Sequence, residues 1–489
     1  MSMRRLLSGS DFSRRYTQIP IGIHRRSSLA SLPPTPIGIH RRLSAARLFA
    51  ALLVMIAAGT AHAFPIRSDT LKNGLVMLTS EDHHLPLVQL RMCIRAGSAA
   101  DPQEQDGLAN FVATLLTRGT QTRSAQMMNK EIEFVGGQMW ASADYDHTMV
   151  NIKVLARDLP LALDLLTDMV VHPAFSDSEV ARARQEIRGD IKRQQDDPWS
   201  VSGDAFGHDL FGTSPYGHPV IGYDSTVAQL GRNEITAFHQ PWFVPNNCYF
   251  CAVGDFPTES LKAGLERRLA GWNASPVARI TMPELPPITG LHGRVINRPE
   301  MNQAYVALGH FGIRENAPDV FACRLMNFVL GGSVFSSKIG NAVREERGLA
   351  YDARSGFDRR LLGGSFIATT QTRTDSAQTS INLMVKQMAD MREKGITALE
   401  LQRAKDYFLG SFPLQYESSG DKLTAMDRIA LFSLGLDYLD TYAARVRAVT
   451  QAEVLNAARN HVFPDNFIMV VVGNLTSDKL KMPGMVWTK

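Results

Sequence analysis

An arginine and a tyrosine in the last third of the chain, Arg344 and Tyr351, lie seven residues apart. Both side chains are hydrogen-bond donors. A helix is expected to end at Gly348, because a glycine just past the last helical residue can adopt the left-handed conformation that closes a C-terminus, and a strand is expected to start at Leu349. Arg344 and Tyr351 are therefore predicted to face each other across a helix-to-strand turn. Taken alone, the charged run at 344–347 is typical of a solvated surface, so a chemical role needs support from elsewhere in the chain.

A second candidate site lies on a predicted helix in the first half of the chain. The stretch 107–120 reads GLANFVATLLTRGT, and its apolar residues recur at the i, i+3, i+4, i+7, i+8 spacing of one buried helical face. The other face carries Asn110, Ala113 and Thr114. We therefore expect the helix to pack by its apolar face and to present these three side chains on the other.

Residues 1–63 are predicted to be a leader that is not part of the fold. Three arginines precede the apolar run Leu48–Ala58, and the sequence Ala-His-Ala that ends at Ala63 has the small-x-small pattern of a secretory cleavage site. The apolar run is too short for a membrane span of about 20 residues, so no stable span is expected after processing. We expect an exported, periplasmic protein, and the alternative is a protein anchored to the inner membrane by an uncleaved signal.

Charge and cysteine content argue against two classes of function. The chain has a net charge of +4, but residues 1–63 hold nine arginines and one aspartate, so the mature protein is near −4 and nucleic acid is not an expected partner. Four cysteines are too few for a disulfide scaffold. Cys248 and Cys251 have CxxC spacing within a strand-like run, where residues three apart point to opposite faces, so packed thiols are favoured over a metal or redox pair.

The mature chain contains two copies of one design. The segment PNNCYFCAVGD at 245–255 resembles PDNFIMVVVGN at 464–474, an offset of 219 residues. The helices predicted at 108–116 and 125–134 have counterparts in the same order in the second half. A repeat of this length indicates domain duplication, because solenoid repeats have periods of about 20 to 50 residues.

The predicted fold class is α+β, with two homologous domains. Each domain is expected to hold an antiparallel-rich sheet packed against helices, because predicted strand hairpins are followed by long amphipathic helices. A proline-rich stretch separates the two copies and is typical of a linker. We place the N-terminal domain at 64–275, the linker at 276–293 and the C-terminal domain at 294–489.

The helix at 107–120 resembles that of the pitrilysin/insulinase (inverzincin) zinc peptidases, and the resemblance covers essentially all of residues 64–480. The family pattern is G-x-A-H-x-x-E-H followed by a basic residue, Gly and Thr; its histidines bind zinc and its glutamate activates water. This chain keeps the frame, but Asn110 and Thr114 occupy the histidine positions and Ala113 the glutamate position. Amide and hydroxyl oxygens are poor zinc ligands beside imidazole, and an alanine cannot act as a base. The chain itself is therefore expected to hold no zinc and no other cofactor.

Three further segments correspond to parts of the family pattern. Glu186 stands where the family has its third zinc ligand, but a single carboxylate does not hold zinc, so a helix N-terminal or salt-bridge role is expected. Residues 136–143 resemble the edge strand on which family members lay the substrate as an added strand. The candidate substrate contacts on that strand are Gly137, Gln138, Met139, Trp140 and Ala141. The loop 215–219 with Gly222 resembles a family loop, and an ordinary hairpin and an ordinary turn are open alternatives for these last two segments.

The Arg344 and Tyr351 pair is supported by the same resemblance. In split members of the family one chain carries the zinc motif, and its partner carries R-E-x-R-G-L-x-Y, whose arginine and tyrosine reach the substrate carbonyl. The sequence REERGLAY at 344–351 fits every fixed position of that pattern. Hydrolysis of a peptide bond creates an oxyanion, to which a guanidinium and a phenol can both donate. Gly331, Gly332 and Ser333 resemble a shorter form of the glycine-rich loop in the non-catalytic mitochondrial processing subunit and are further candidate substrate contacts.

The resemblance implies a non-catalytic subunit of a heterodimeric zinc metallopeptidase that is inactive alone. Its partner would be a homologous HxxEH-bearing chain that carries the zinc, its substrates would be peptides, and its two domains would form half of a clam-shell that closes on the partner. The alternative is a catalytically silent scaffold of the same fold, which explains the missing zinc ligands but leaves the Arg-Tyr motif without a use. An independent zinc peptidase would need ligands that this sequence lacks.

Overall fold

The computed structural model describes residues 64–333 and 336–488, so the predicted leader and its cleavage site lie outside the described residues. Its strands are β1 (Arg67–Thr70), β2 (Val76–Glu81), β3 (Leu87–Ile94), β4 (Gln138–Ala143), β5 (Thr148–Leu155), β6 (Cys248–Gly254), β7 (Leu291–Asn297), β8 (Gln303–Phe311), β9 (Ala350–Arg359), β10 (Gly364–Arg373), β11 (Phe467–Gly473) and β12 (Met485–Thr488). Its α-helices are α1 (Leu108–Leu116), α2 (Ala125–Phe134), α3 (Leu159–Val171), α4 (Asp177–Asp196), α5 (Pro198–Phe211), α6 (Asp224–Val227), α7 (Arg232–Trp242), α8 (Thr258–Arg268), α9 (Val320–Asn327), α10 (Lys338–Gly340), α11 (Ala377–Lys394), α12 (Ala398–Ser411), α13 (Ser419–Phe432), α14 (Tyr438–Ala448) and α15 (Gln451–His461). Two π-helical turns, Phe328–Gly332 and Asn341–Glu345, adjoin α9 and α10.

Two six-stranded mixed sheets organise the protein, and their strand orders show the duplication. The first sheet runs β1-β2-β6-β3-β5-β4 and the second runs β12-β7-β11-β8-β10-β9. The five strands β2-β6-β3-β5-β4 correspond to β7-β11-β8-β10-β9: in each set the first pair is parallel and the following pairs are antiparallel. The outer strands differ, because β1 is antiparallel to β2 and β12 is parallel to β7. The predicted α+β class with an antiparallel-rich sheet in each half is confirmed.

The central strands β6 and β11 are buried along their whole length, because helices cover both faces of each sheet. One face of each sheet packs against the helices of its own half. The two CxxC cysteines illustrate the two faces: Cys248 lies in the core of the first half, whereas Cys251 lies in a separate cluster on the opposite face. Both thiols are buried and free, as predicted.

The second face of each sheet is covered by a helix from the other half. Helix α5 of the first half packs on β8 and β11, and α13 of the second half packs on β3 and β6. Phe206 and Leu210 of α5 lie in one apolar cluster with Val470 of β11, and Leu423 of α13 lies in another with Tyr249 of β6. This reciprocal exchange joins the two halves through buried apolar surface.

The predicted linker is a fixed part of this interface. Residues 273–290 form neither helix nor strand, and Ile280, Met282 and Leu285 pack against the cluster that α5 forms with the second sheet. Strand β7 begins at Leu291, which is paired with Phe467. The last three residues of the predicted linker 276–293 therefore belong to the second sheet. A boundary drawn from proline content differs here because proline content does not show where the next strand begins to pair.

A buried ionic network holds α13 against the first sheet. Asp427 of α13 accepts hydrogen bonds from Arg91 Nη1 at 2.9 Å and from the Tyr249 hydroxyl at 2.5 Å, and its Oδ2 lies 3.2 Å from His147 Nε2. Burial disfavours the charged form of His147, but hydrogen bonds to Asp144 and Asp427 raise the pKa of its imidazole to about 10. Burial likewise opposes ionisation of Asp427, but its bond to the imidazolium lowers the pKa of the carboxyl to about 2. The two groups therefore form an ion pair across the boundary between the halves.

In the described part of the chain, no helix combines the length and the apolar character needed to cross a membrane.

Candidate functional site

Helix α1 carries the three positions that correspond to the zinc motif, and its start is fixed by one carboxylate. Asp101 Oδ2 accepts the backbone N–H of Gly107 and Asp101 Oδ1 that of Ala109, both at 2.8 Å. Gly107 has a φ of 97°, in the left-handed region that favours glycine. These contacts satisfy N–H groups that the first turn of a helix leaves without helical acceptors.

The outer face of α1 is more enclosed than its sequence indicates. Asn110 and Thr114 are partly buried, but Ala113 is only 1% exposed. Strands β4 and β5 and helices α4 and α7 all pack against α1, so little of its surface reaches solvent. The Thr114 hydroxyl donates to the backbone carbonyl of Asn110 at 2.9 Å, so it is already used within the helix.

Glu186 of α4, at the position of the third zinc ligand, is paired with an arginine. Arg118 Nη2 lies 2.5 Å from Glu186 Oε2, and Nη1 lies 3.3 Å from Oε1. The same guanidinium lies 3.8 Å from Glu179. This pairing agrees with the salt-bridge role expected of Glu186. The sequence reasoning missed Arg118 as its partner, although the basic residue after the helix was visible in the motif.

Zinc does not fit the residues at these positions. They offer an amide, a methyl group, a hydroxyl bonded to its own helix and a carboxylate paired with a guanidinium. Among the described residues, the groups of three potential metal ligands lie elsewhere, at Cys93, His147 and Asp427 and at Asp319, Cys323 and His461. The residues at these positions therefore do not form the donor set of a catalytic zinc site.

Strand β4 lies at the edge of the first sheet, where its one partner in the described part of the chain is β5. Gln138 and Trp140 are exposed, whereas Met139 and Ala141 pack against the core next to α1. Gly137 precedes the strand, and a Cβ atom there would lie 2.6 Å from the Ile132 side chain. Gly137 is therefore needed for close packing, and the open edge of β4 lies beside the helix of the lost zinc motif.

The glycines at 331 and 332 lie in the π-helical turn Phe328–Gly332. Gly331 is buried, and a Cβ atom there would lie 2.3 Å from Ser355 Oγ of β9. Gly332 is exposed, and Ser333 Oγ lies 2.7 Å from Ser336 Oγ. Gly331 thus has a packing role against β9, and Gly332 is the glycine of the pair that reaches the surface.

The turn between Arg344 and Tyr351 closes as the sequence predicts. Gly348 has a φ of 61°. Its N–H donates to Arg344 O at 2.9 Å, and the N–H of Leu349 donates to Val343 O at 3.0 Å. The first of these is the 5→1 bond of the αL motif, in which a left-handed glycine ends the helix.

Tyr351 is displaced from the regular pairing of β9. Asp352 pairs with Gln371 and Ala350 with Thr372, so Tyr351 is the extra residue of a β-bulge. Its side chain is 92% exposed, and its hydroxyl makes no hydrogen bond to any residue that the structure describes. Among the described strands, β9 pairs with β10 alone and is the edge strand of the second sheet. A bulge re-aims a side chain, and here it leaves a phenol donor open to solvent.

Arg344 lies seven residues before Tyr351, in the π-helical turn Asn341–Glu345. Its side chain is 20% exposed, and its Nε donates to Glu345 Oε1 at 2.8 Å. The guanidinium is thus held near the surface by a neighbouring carboxylate, and Tyr351 lies at the start of the strand that follows.

The loop 215–219 joins the two halves. Tyr216 is buried, its hydroxyl donates to Asp146, and it accepts the backbone N–H of Leu362 at 2.9 Å. Gly222 has a φ of 78°, and a Cβ atom there would lie 2.2 Å from Asp106 O at the start of α1. This loop therefore has a structural role at the α1 terminus and the β9–β10 hairpin.

Comparisons with known proteins agree with this architecture. A family model described as "Insulinase (Peptidase family M16)" matches residues 76–224, and one described as "Peptidase M16 inactive domain" matches residues 229–408. An uncharacterized zinc protease of Bacillus subtilis is 25% identical over 417 residues, covering 84% of this chain and 100% of the relative. Another of Streptomyces coelicolor is 28% identical over 402 residues, covering 81% of this chain and 87% of the relative.

Two solved structures share the fold. A Pseudomonas fluorescens protein described as a peptidase M16 inactive domain superposes with a TM-score of 0.79 at 25% identity, covering 84% of this chain and 98% of that one. A protease from Helicobacter pylori has a TM-score of 0.76 at 19% identity, covering 84% of this chain and 100% of that one. Since the two family models match successive halves of the fold and the relatives extend over both, the chain belongs to the insulinase (M16) peptidase family.

Proposed function

We propose that this chain is the non-catalytic subunit of a heterodimeric zinc peptidase and that it supplies Arg344 and Tyr351 as hydrogen-bond donors to the substrate carbonyl. The observation that carries the proposal is the bulge at Tyr351, which holds an almost fully exposed phenol at a sheet edge with no hydrogen-bond partner among the described residues. Bulges are frequent beside active sites, where they re-aim a side chain, and this one leaves the phenol open to contact with another molecule.

The two donors are chemically matched to one acceptor. A peptide carbonyl gains negative charge when it is attacked, and a guanidinium and a phenol placed beforehand stabilise that charge more than they stabilise the neutral carbonyl. Arg344 and Tyr351 flank the left-handed turn at Gly348, so one short segment can present both donors. The chain thereby contributes to transition-state binding without a nucleophile of its own.

The residues of α1 support the need for a partner. Asn110, Ala113 and Thr114 cannot hold the zinc that the family uses, so peptide hydrolysis requires a second chain with an intact HxxEH motif. The open edge of β4 offers backbone groups at Gln138 to Ala141 for an extended peptide. We place the complex in the periplasm, with zinc in the partner and peptides as substrates.

Co-expression with an HxxEH-bearing sister chain tests the proposal. We expect a one-to-one heterodimer in size-exclusion chromatography, and peptide hydrolysis that needs both chains. The matched control is the same pair with the HxxEH glutamate of the sister changed to glutamine, which should assemble but not turn over. Separate elution of the two chains at micromolar concentration, with and without substrate, would rule out a stable split enzyme and favour a scaffold.

A further inference from the structure

A cavity of about 530 Å³ lies where the first turn of α13 meets the outer face of the first sheet. Both halves of the chain line it, and Lys153 in its wall is paired with Gln138 of the edge strand β4. The lining residues that matter here are Gln89 of β3, Lys153 of β5, Asp82 of the β2–β3 connection, Glu417 just before α13, and Ser419, Gly420 and Lys422 of α13. The Glu417 side chain is exposed.

Two polar side chains of the sheet enter this cavity side by side. Gln89 and Lys153 are directly paired in the β3–β5 register, so their side chains lie next to each other on one face. Gln89 is only 9% exposed, and its Oε1 is buried without a hydrogen-bond partner among the described residues. Lys153 makes no ion pair with any acidic group in the described part of the chain, whereas Asp82 is already bound by Lys422 and His84. The Gln89 amide oxygen, which accepts no hydrogen bond from the described residues, thus lies beside the ammonium group of Lys153.

The start of α13 adds two backbone donors. Its capping box binds the N–H groups of Ser418 and Asp421, and the first-turn N–H groups of Ser419 and Gly420 have no carbonyl within the helix to bind. This end of a helix is electropositive and suits an anion. A Cβ atom at Gly420 would lie 3.5 Å from Gln89 Oε1, so the glycine keeps the space between the helix terminus and the amide open.

We propose that this cavity binds the C-terminal residue of a peptide. The terminal carboxylate would accept hydrogen bonds from the start of α13 and from Lys153, and the amide N–H beside it would donate to Gln89 Oε1. Inorganic phosphate could satisfy the positive groups but has no amide N–H for Gln89. The site is built entirely within this chain, so it does not depend on the proposed zinc-bearing partner.

Calorimetric titration of the purified chain tests the proposal, with N-acetyl-alanyl-alanine as the probe and its C-terminal amide as the matched control. We expect the acid to bind and the amide to bind about 10-fold more weakly or worse, because a charge-assisted hydrogen bond is lost. Lys153→Met and Gln89→Leu should each weaken binding of the acid by about 10-fold. Lys130→Met, at an exposed position of α2, should leave binding unchanged.

The stability of the variants separates binding from folding. Gln89→Leu should unfold at the same temperature as the native chain or higher, because the buried amide oxygen it removes has no partner. Gly420→Leu should fold and abolish binding, because its side chain fills the space beside Gln89. Equal affinity for the acid and the amide, displacement of the acid by equimolar inorganic phosphate, or no binding of the acid at millimolar concentration would each overturn the proposal.

Discussion

Replacing Asp427 by asparagine would remove the one carboxylate that Arg91, Tyr249 and His147 share beneath α13. The substitution keeps the size of the side chain but leaves two cationic groups buried beside a neutral amide. Arg91 is 12% exposed and His147 5% exposed, so water replaces the lost carboxylate poorly. We therefore expect a large loss of stability at the boundary between the two halves.

Two independent figures give the size of the expected loss in the free energy of unfolding. The pKa of Asp427 is lowered from 3.8 to about 2, which corresponds to about 2 kcal/mol of preferential stabilisation of the charged carboxylate. Removal of one partner from a buried ion pair typically costs about 3–5 kcal/mol. Asp427→Asn should thus lower the free energy of unfolding by about 3 kcal/mol, measured by urea unfolding with tryptophan fluorescence at pH 6.

The loss should depend on pH with a definite sign. Because the pKa of Asp427 is lowered in the fold, its contribution is present above about 3.8 and disappears as the pH falls through about 2. Because the pKa of His147 is raised, its contribution is complete below about 6.5 and disappears as the pH rises through about 10. The difference between the native chain and Asp427→Asn should therefore be largest between pH 4 and 6.5 and shrink on both sides.

Asp390→Asn is the matched control. Asp390 pairs with Lys386 and Lys394 along the exposed side of α11, and surface pairs of this kind contribute less than about 1 kcal/mol. If Asp427→Asn costs no more than Asp390→Asn, or if its cost is the same at pH 6 and pH 10, the ion pair does not join the halves and the reasoning is refuted.

Two further predictions concern the candidate site. The purified mature chain should retain no stoichiometric zinc after dialysis against a weak chelator and should hydrolyse no peptide alone, because Asn110, Ala113 and Thr114 supply none of the required groups; one tightly bound zinc per chain would contradict this. Gly348→Ala should lower the free energy of unfolding by about 1 kcal/mol, because a φ of 61° strains any residue with a Cβ atom. Gly356→Ala, on the strand β9 that follows, has open space and an ordinary φ and should be neutral in a thermal melt.

Features with a local cause could be predicted from the sequence. The left-handed Gly348 follows from a glycine placed after a helical pattern and before a strand pattern. The separation of Cys248 and Cys251 onto opposite faces follows from the two-residue period of a strand. The common strand order of the two sheets follows from the 219-residue offset between the segments that became β6 and β11.

Features that depend on contacts between distant segments could not be predicted in this way. Asp427 lies in the stretch DRIALF, where an acidic residue on an amphipathic helix is typical of a solvated face, and only the docking of α13 on the other half buries it. Ala113 lies on the face opposite the apolar stripe of α1, and it is buried because other elements, α4 and α7 among them, pack around the helix. The bulge at Tyr351 depends on the register of β9 with β10, which single-strand patterns do not encode.

The turnover of a reconstituted heterodimer carrying Tyr351→Phe tests the central claim most directly. Losing an oxyanion donor should lower turnover on the order of 10²- to 10³-fold, and Arg344→Ala should act in the same direction, while melting temperature and elution volume stay unchanged. Arg347→Ala, three residues on in the same exposed charged run, should keep full activity. Full activity in both Tyr351→Phe and Arg344→Ala, or equal damage from Arg347→Ala, would contradict the account and identify the chain as a scaffold.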